Sequence, residues 1–301
     1  MKAVVARQYG GPDVLKFEDY PDPVPGPGEV LVRVAATSVN PIDYKRRSGL
    51  TKNFYPMKFP GLIGVDIAGT VVRVGAEVQG FAVGDEVFGI ADNTYAELCA
   101  VRASVLAKVP KGLDLVQAAA LPLVTTTGNQ LLSATEIKEA QTVLVAGAVG
   151  SVGRSAVFTA KSRGATVIAG VLRRQMDAAR ALGADQVIAT DDDPAMEKLV
   201  SLDAVADTVG GRTGEKLTSK VKPGGVYASV VEVPQNASKY PSVRVVHVFS
   251  KFDRETLEFM AGAVRDGKLV IPISQRLPLR EAAKAQAEAE KGANGKILLV
   301  A

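Results

Sequence analysis

The segment Thr142–Gly153, TVLVAGAVGSVG, constrains this chain more than any other. An apolar, partly β-branched run leads into Gly147, Gly150 and Gly153, and the residues from Arg154 to Lys161 then read as a helix. A strand that turns sharply into a helix needs glycine where the backbone turns tightly or where two segments touch without a Cβ between them. The same turn brings the free N–H groups and partial positive charge of a helix N-terminus to the strand end, which suits a pyrophosphate. A lone glycine triplet is a weak sign. Placed between a strand and a helix, it is the fingerprint of a dinucleotide-binding unit. The alternative is a tight strand–helix turn that holds no ligand.

The surrounding sequence keeps that rhythm. From about 118 to 250, short apolar strands are expected at Thr142–Ala146, Thr166–Val171, Gln186–Ala189, Asp203–Asp207, Gly225–Val231 and Val243–Phe249, with helices between most of them. Such alternation predicts a doubly wound parallel sheet covered on both faces. In a unit of this kind an acidic residue near the end of the second strand binds the ribose 2′-hydroxyl. Here Thr166–Val171 is followed by Arg173 and Arg174. Two guanidiniums suit a 2′-phosphate, which they grip bidentately, so NADPH is expected over NADH. The plain reading is two exposed arginines opening a helix, where cations are mildly unfavourable.

The flanks differ. Residues 1–113 are rich in β-branched residues and glycine turns, with strands expected at Lys2–Arg7, Glu29–Ala36, Ile67–Gly75 and Tyr95–Val101. Pro21–Gly28 must be an extended loop, and Asn40–Arg47 reads as a short helix with Asn40 as N-cap and Pro41 at its first position. Beyond residue 250 come a helix (Asp253–Asp266), a strand (Leu269–Gln275), an alanine-rich surface helix (Arg280–Lys291) and a last strand (Lys296–Val300). A chain of 301 residues exceeds the span of most single cores, so two domains are expected.

Composition removes other classes. With one cysteine (Cys99) and one histidine (His247), the chain cannot form an internal disulfide or a four-cysteine zinc site, and no metal site is expected. A net charge of +4, 5% aromatics and only short basic clusters do not make a nucleic-acid surface. The N-terminus carries no signal-peptide pattern. The longest uncharged run, residues 115–135, contains Pro122, Gly128 and four threonines, a poor membrane span. A cytoplasmic protein with neither nucleic-acid nor membrane partners is expected.

Taken in order, GGPDVL (Gly10–Leu15), PGPGEVLVRV (Pro25–Val34), VNPIDYKRRSG (Val39–Gly49), GVDIAGTVVRVG (Gly64–Gly75), GDEVFG (Gly84–Gly89), AALPLVTTTG (Ala119–Gly128), the glycine turn, DTVGG (Asp207–Gly211), KPGG (Lys222–Gly225) and GKILLV (Gly295–Val300) carry a resemblance. The chain resembles the zinc-independent medium-chain dehydrogenases/reductases, in the quinone oxidoreductase (zeta-crystallin-like) branch. The resemblance implies an α/β protein: a discontinuous GroES-like β catalytic domain, residues 1–117 and 251–301, around a Rossmann NADP-binding domain, residues 118–250. It implies an active site in the cleft between them and a homodimer joined at the edge near Val243–Phe249. Zinc-dependent relatives carry a cysteine and a histidine where this chain has Ser38 or Asn40, and Val65.

The resemblance places Asn40, Asp43 and Thr127 beside the nicotinamide and its ribose. It offers Tyr44 as a substrate-facing hydroxyl, displaced by one residue from the family position. Tyr55 is a second possible donor. Gly147, Val149, Gly150, Ser151 and Val152 would approach the pyrophosphate, Gly210 the adenosine half, and Val231, His247 and Phe249 the nicotinamide half. Lys296 matches a position near the cofactor. Met176 and Thr190 stand where many members use lysine and tyrosine at the 2′-phosphate, so Arg173 and Arg174 must compensate. The implied activity is hydride transfer from NADPH to a small quinone, enone or enal. The alternatives are a non-catalytic, crystallin-like NADPH-binding protein and a carbonyl or alcohol dehydrogenase.

Overall fold

A computed structural model describes all of residues 1–301. The chain divides into two compact units, Met1–Leu123 with Phe252–Ala301, and Val124–Lys251.

The first unit begins with β1 (Lys2–Ala6), β2 (Lys16–Asp19) and β3 (Glu29–Ser38). Next comes α1 (Pro41–Ser48), entered through Asn40 and Pro41 and stopped by Gly49, whose φ of 85° is the left-handed close that glycine favours. There follow β4 (Gly61–Leu62), β5 (Asp66–Val74), β6 (Glu86–Ile90), β7 (Leu98–Arg102), β8 (Leu106–Lys108) and the short α2 (Leu115–Ala118). Pro21–Gly28 forms no strand or helix.

The helix α3 (Pro122–Ala134) leads into the second unit. Here β9 (Thr142–Ala146), α4 (Ser151–Ser162), β10 (Thr166–Val171), α5 (Met176–Arg180), β11 (Gln186–Ala189), α6 (Asp193–Glu197), β12 (Leu202–Asp207), α7 (Gly211–Thr218), β13 (Val221–Ser229) and β14 (Arg244–His247) alternate. The strands form one sheet in the order β11-β10-β9-β12-β13-β14, parallel throughout. Strand order reverses between β9 and β12, which is the switch point of a doubly wound fold. Both faces are buried. Val143 and Val145 face a core shared with Ala156, Val157 and Ala160 of α4, while Leu144 and Ala146 face Ile168, Val205 and Leu217. This explains why the strands read as continuous apolar runs.

The chain then returns to the first unit as α8 (Arg254–Arg265), β15 (Ile273–Pro278), α9 (Ala282–Glu290) and β16 (Lys296–Val300). The path β15-β16-β3-β5-β6-β8, with β7 also on β3, makes a seven-stranded sheet, and β2-β1-β4 a smaller one. Ser38 at the end of β3 pairs with Leu298 of β16, which sets Lys296 beside Val39 and Asn40. The strand expected at Leu269–Gln275 starts later, at Ile273, because Leu269 and Ile271 are buried as loop residues ahead of Pro272. The alanine-rich helix is not purely a surface helix: Ala282, Ala285 and Gln286 are buried. No helix is long and apolar enough to cross a membrane.

Candidate functional site

In the second unit the three glycines of the turn have different reasons to be glycine. Gly147 takes φ 74°, and a Cβ there would meet Thr208 Oγ1 at 2.3 Å. A Cβ on Gly153 would meet Gly147 O at 2.2 Å, so this glycine lets α4 lie against the turn. Gly150 is exposed, its φ is an ordinary −69°, and a Cβ would come only to 3.2 Å of Gly147 O. Packing therefore demands glycine at the first and third positions and constrains the second less, since a small shift of the turn would admit a Cβ there. Gly150 is the N-cap of α4 and has no side chain to satisfy the first-turn N–H groups, to which Ser151 and Val152 belong. Arg154 steadies the turn by donating from Nε to Val149 O at 2.9 Å. Against α4 lies Gly128 of α3, whose Cβ would meet Val152 O at 2.5 Å; the neighbouring Thr127 is buried.

The other candidates of this unit follow the same rule of position. Arg173 and Arg174 come just after β10, Gly210 after β12, Val231 after β13, and His247 and Phe249 at and after the end of β14. All stand at the carboxyl ends of parallel strands, where open α/β sheets bind ligands. Arg173 and Arg174 are exposed, and Arg173 is paired with Asp192. The His247 and Phe249 rings lie 4.5 Å apart, with Phe249 68% exposed.

Sequence reasoning missed the carboxylate that shapes this rim. Buried Asp207 accepts from Val209 N (2.9 Å), Gly210 N (3.0 Å), Tyr227 Oη (2.7 Å) and Ser229 Oγ (3.2 Å). Ser229 Oγ accepts in turn from Val231 N at 3.1 Å. One carboxylate thus holds the loops after β12 and β13 in register. The DTVGG run carries it, and only its partners, distant in sequence, reveal its work.

The first unit gathers Asn40, Asp43 and Lys296 into a buried polar cluster with Ser38, Asp66 and Tyr95. Lys296 Nζ donates to Asn40 Oδ1 at 2.5 Å and Val39 O at 3.0 Å, and lies 3.6 Å from Asp66 Oδ2. Asp66 accepts from Ser38 Oγ, from Asn40 Nδ2 at 2.7 Å and from Leu123 N at 2.8 Å. Asp43 Oδ2 accepts from Asn40 N at 2.8 Å and from Tyr95 Oη at 3.2 Å, while its Oδ1 is buried without a partner. Burial, chiefly, pushes the Asp43 carboxyl up to about 7, with nearby Asp66 adding to the rise. Burial pulls the Lys296 ammonium below the ordinary lysine range, against the pull of Asp66 and Asp43.

These side chains are turned inward. Asn40 is 1% exposed and Lys296 5%, and the Asn40 amide is spent on Lys296 and Asp66. In this structure the polar atoms of both groups are engaged within the first unit, beside the start of α1. The two tyrosines stand apart from the cluster. Tyr44 is half-buried, and burial raises its hydroxyl above the usual range. Tyr55 donates to Asp92, and the Arg46 guanidinium lies over its ring at 3.7 Å. Burial and Asp92 hold the Tyr55 proton firmly. Arg46 and Asp92 also line a cavity of about 700 Å3 within this unit, together with Met57, Asn93 and Cys99. Burial pushes the Cys99 thiol up to about 12, which leaves it inert.

Two family models match: the alcohol dehydrogenase GroES-like domain over residues 26–111 and the zinc-binding dehydrogenase over residues 182–299. The chain is 34% identical to a quinone oxidoreductase of Pseudomonas aeruginosa, with 95% of each chain covered. It is 35% identical to the chloroplastic NADPH-dependent alkenal/one oxidoreductase of Arabidopsis thaliana over 75% of this chain and 61% of that one. Among solved structures, the quinone oxidoreductase of Coxiella burnetii superimposes with a TM-score of 0.92 at 32% identity, covering 100% of this chain and 99% of that one. The Escherichia coli quinone oxidoreductase complexed with NADPH gives 0.89 at 27% identity, with 100% of both covered.

The name of the second family implies zinc, but the residues do not fit it. Protein zinc sites use thiolate, imidazole and carboxylate ligands. Ser38 and Asn40 offer only neutral oxygens, Val65 is a buried hydrocarbon, Asp66 already faces the ammonium of Lys296, and Asp43 is the only other carboxylate of the cluster, too few ligands for zinc.

Proposed function

Because this chain belongs to the zinc-independent quinone oxidoreductase branch of the medium-chain dehydrogenase/reductase family, we propose that it reduces quinones and α,β-unsaturated carbonyls with NADPH. The observation that carries the reading is the glycine turn at the switch point of a parallel sheet, where exposed Gly150 caps α4 with no side chain over its first-turn N–H groups. A glycine there lets a ligand approach the backbone closely, which supports the reading.

Bound NADPH supplies the hydride. The α4 N-terminus, with Gly147, Val149, Gly150, Ser151 and Val152, holds the pyrophosphate, and Arg173 and Arg174 hold the 2′-phosphate. Gly210, Val231, His247 and Phe249 border the remaining cofactor groups at the strand ends. In the first unit, Asn40, Asp43 and Lys296 form a rigid floor that fixes the start of α1 and the placement of Tyr44. Tyr55 already donates to Asp92, which favours solvent over this hydroxyl as the source of the proton on the reduced product. An acceptor that is itself electron-poor suits a site with no Lewis acid, and this separates the proposal from a carbonyl or alcohol dehydrogenase.

The proposal extends to a cytoplasmic homodimer. β14 is an edge strand whose far side has no partner, and Phe249 beside it is exposed, which favours pairing with a second copy. Light scattering on the wild type and a Val246→Lys variant tests this. The activity test is NADPH oxidation with an ortho-quinone, a para-quinone, an enone and an enal. Turnover on at least one class is expected. Tight NADPH binding without turnover on any would instead support a non-catalytic binding protein.

A further inference from the structure

The acidic run Asp191, Asp192 and Asp193 follows β11, and its three carboxylates go to different places. Asp193 is taken by Lys216 and, at 3.5 Å, by Arg212. Asp191 Oδ1 accepts the backbone N–H of Arg173 at 2.8 Å. Asp192 is the N-cap of α6, where an aspartate ordinarily accepts from the N–H groups of the first turn. Its side chain makes no such bond and accepts instead from Arg173 Nη2. The Asp192 side chain is 22% exposed and that of Arg173 68%, so the carboxylate is the anchored member of the pair.

The charge balance beyond β10 follows. Arg173 is ion-paired with Asp192 and its backbone N–H donates to Asp191, and it is the only cation ion-paired with either carboxylate. A phosphate monoester carries roughly −1.5 to −2 charge near pH 7. For Arg173 to grip it bidentately, the guanidinium must leave Asp192, and the freed carboxylate then stands near an incoming anion. A 2′-hydroxyl brings no charge, so Asp192, which follows β11, does not repel it and Arg173 need not leave its partner. Met176 and Thr190 add no cation to offset this.

The geometry points to Asp192 as a specificity-determining residue: it occupies Arg173, weakens the hold on the 2′-phosphate and admits NADH alongside NADPH. This inference rests on the reading of Arg173 and Arg174 as the phosphate clamp. The test is calorimetric binding of NADPH, NADH, 2′,5′-ADP and 5′-AMP to the wild type, to Asp192→Asn and to the double variant Arg173→Ala/Arg174→Ala. Asparagine keeps a good N-cap for α6, so the fold is preserved. Asp192→Asn should tighten NADPH and 2′,5′-ADP about tenfold, which corresponds to roughly 1.4 kcal/mol. NADH and 5′-AMP should stay the same or weaken. Equal tightening of all four ligands, or of none, overturns the role of Asp192. If the double variant loses affinity for 2′,5′-ADP while Asp192→Asn changes nothing, the clamp stands and the Asp192 inference falls. If the double variant binds 2′,5′-ADP as the wild type does, the clamp itself is refuted.

Discussion

Replacing Lys296 with methionine tests the buried cluster most directly. Methionine keeps most of the length and apolar volume of the side chain and removes its charge. The loss leaves Asn40 Oδ1 and Val39 O without their donor and Asp66 without its cation. Removing one partner of a buried ion pair costs about 3–5 kcal/mol, because the other charge stays buried. Asp66 keeps donors at Ser38 Oγ, Asn40 Nδ2 and Leu123 N, which places the expected cost at the lower end, about 3 kcal/mol. In a unit of this size each kcal/mol moves the melting midpoint by about 2–4 °C, so calorimetry should record a drop of roughly 6–12 °C. The second arm is Asp66→Asn alone and combined with Lys296→Met. Once the carboxylate is neutral, the missing ammonium matters less, and the double variant should be at least about 1 kcal/mol more stable than the sum of the single losses. Affinity for 2′,5′-ADP should not move, because the Lys296 ammonium is committed inside the first unit. Additive losses, or a Lys296→Met cost below about 1 kcal/mol, would refute the view that this pair holds the cluster together.

Two further perturbations probe the same reasoning. Asp43 has a folded-state value raised from 3.8 to about 7, so the folded state holds its proton more tightly than the unfolded chain does. Its contribution is present in full below about pH 4 and is lost as pH rises through about 7; Asp43→Asn should flatten that decline, measured as melting midpoint against pH from 4 to 9. In the turn, Gly153→Ala would drive a Cβ to 2.2 Å from Gly147 O, and it should weaken NADPH at least about tenfold while Gly150→Ala, with more room, perturbs binding without unfolding the unit. Calorimetry and thermal melts on both variants check this, and normal binding by Gly153→Ala would show that the turn can yield.

What the sequence made legible was local. Thr142–Ala146, Thr166–Val171 and Gln186–Ala189 form strands over those residues, and α1 begins at Pro41 behind Asn40, because period, glycines and caps act within a few residues. The short strands β2, β4, β6 and β8 escaped notice, since each is held by partners elsewhere in a sheet and not by its own pattern. The helix α3 hid in an uncharged run with consecutive threonines, residues of modest helix propensity, and packing supplies what propensity lacks. The site divided in the same way. The glycine turn and the arginine pair could be singled out because each is written in adjacent residues. The bond between Asn40 and Lys296 could not, because 256 positions separate the amide from the ammonium, and only the pairing of β3 with β16 joins them.

That pairing also bears on which acceptors the protein serves. A catalytic metal works as a Lewis acid only if a coordination position stays open to substrate. In the corresponding region of this chain the oxygens of Ser38, Val39, Asn40 and Asp66 are satisfied by one another and by the ammonium of Lys296. The cation is carried on the chain, is buried, and is engaged by Val39 O, Asn40 Oδ1 and Asp66. A simple aldehyde or ketone, which depends on polarisation of its carbonyl, gains nothing from such a cluster. A quinone or enone brings its own low-lying acceptor orbital and asks the protein chiefly for orientation. Opening the cluster with Lys296→Met should therefore not create alcohol dehydrogenase activity with added zinc, since Ser38, Asn40 and Val65 still supply neither thiolate nor imidazole. Zinc-dependent alcohol oxidation by that variant, with a stoichiometric metal content, would overturn the argument.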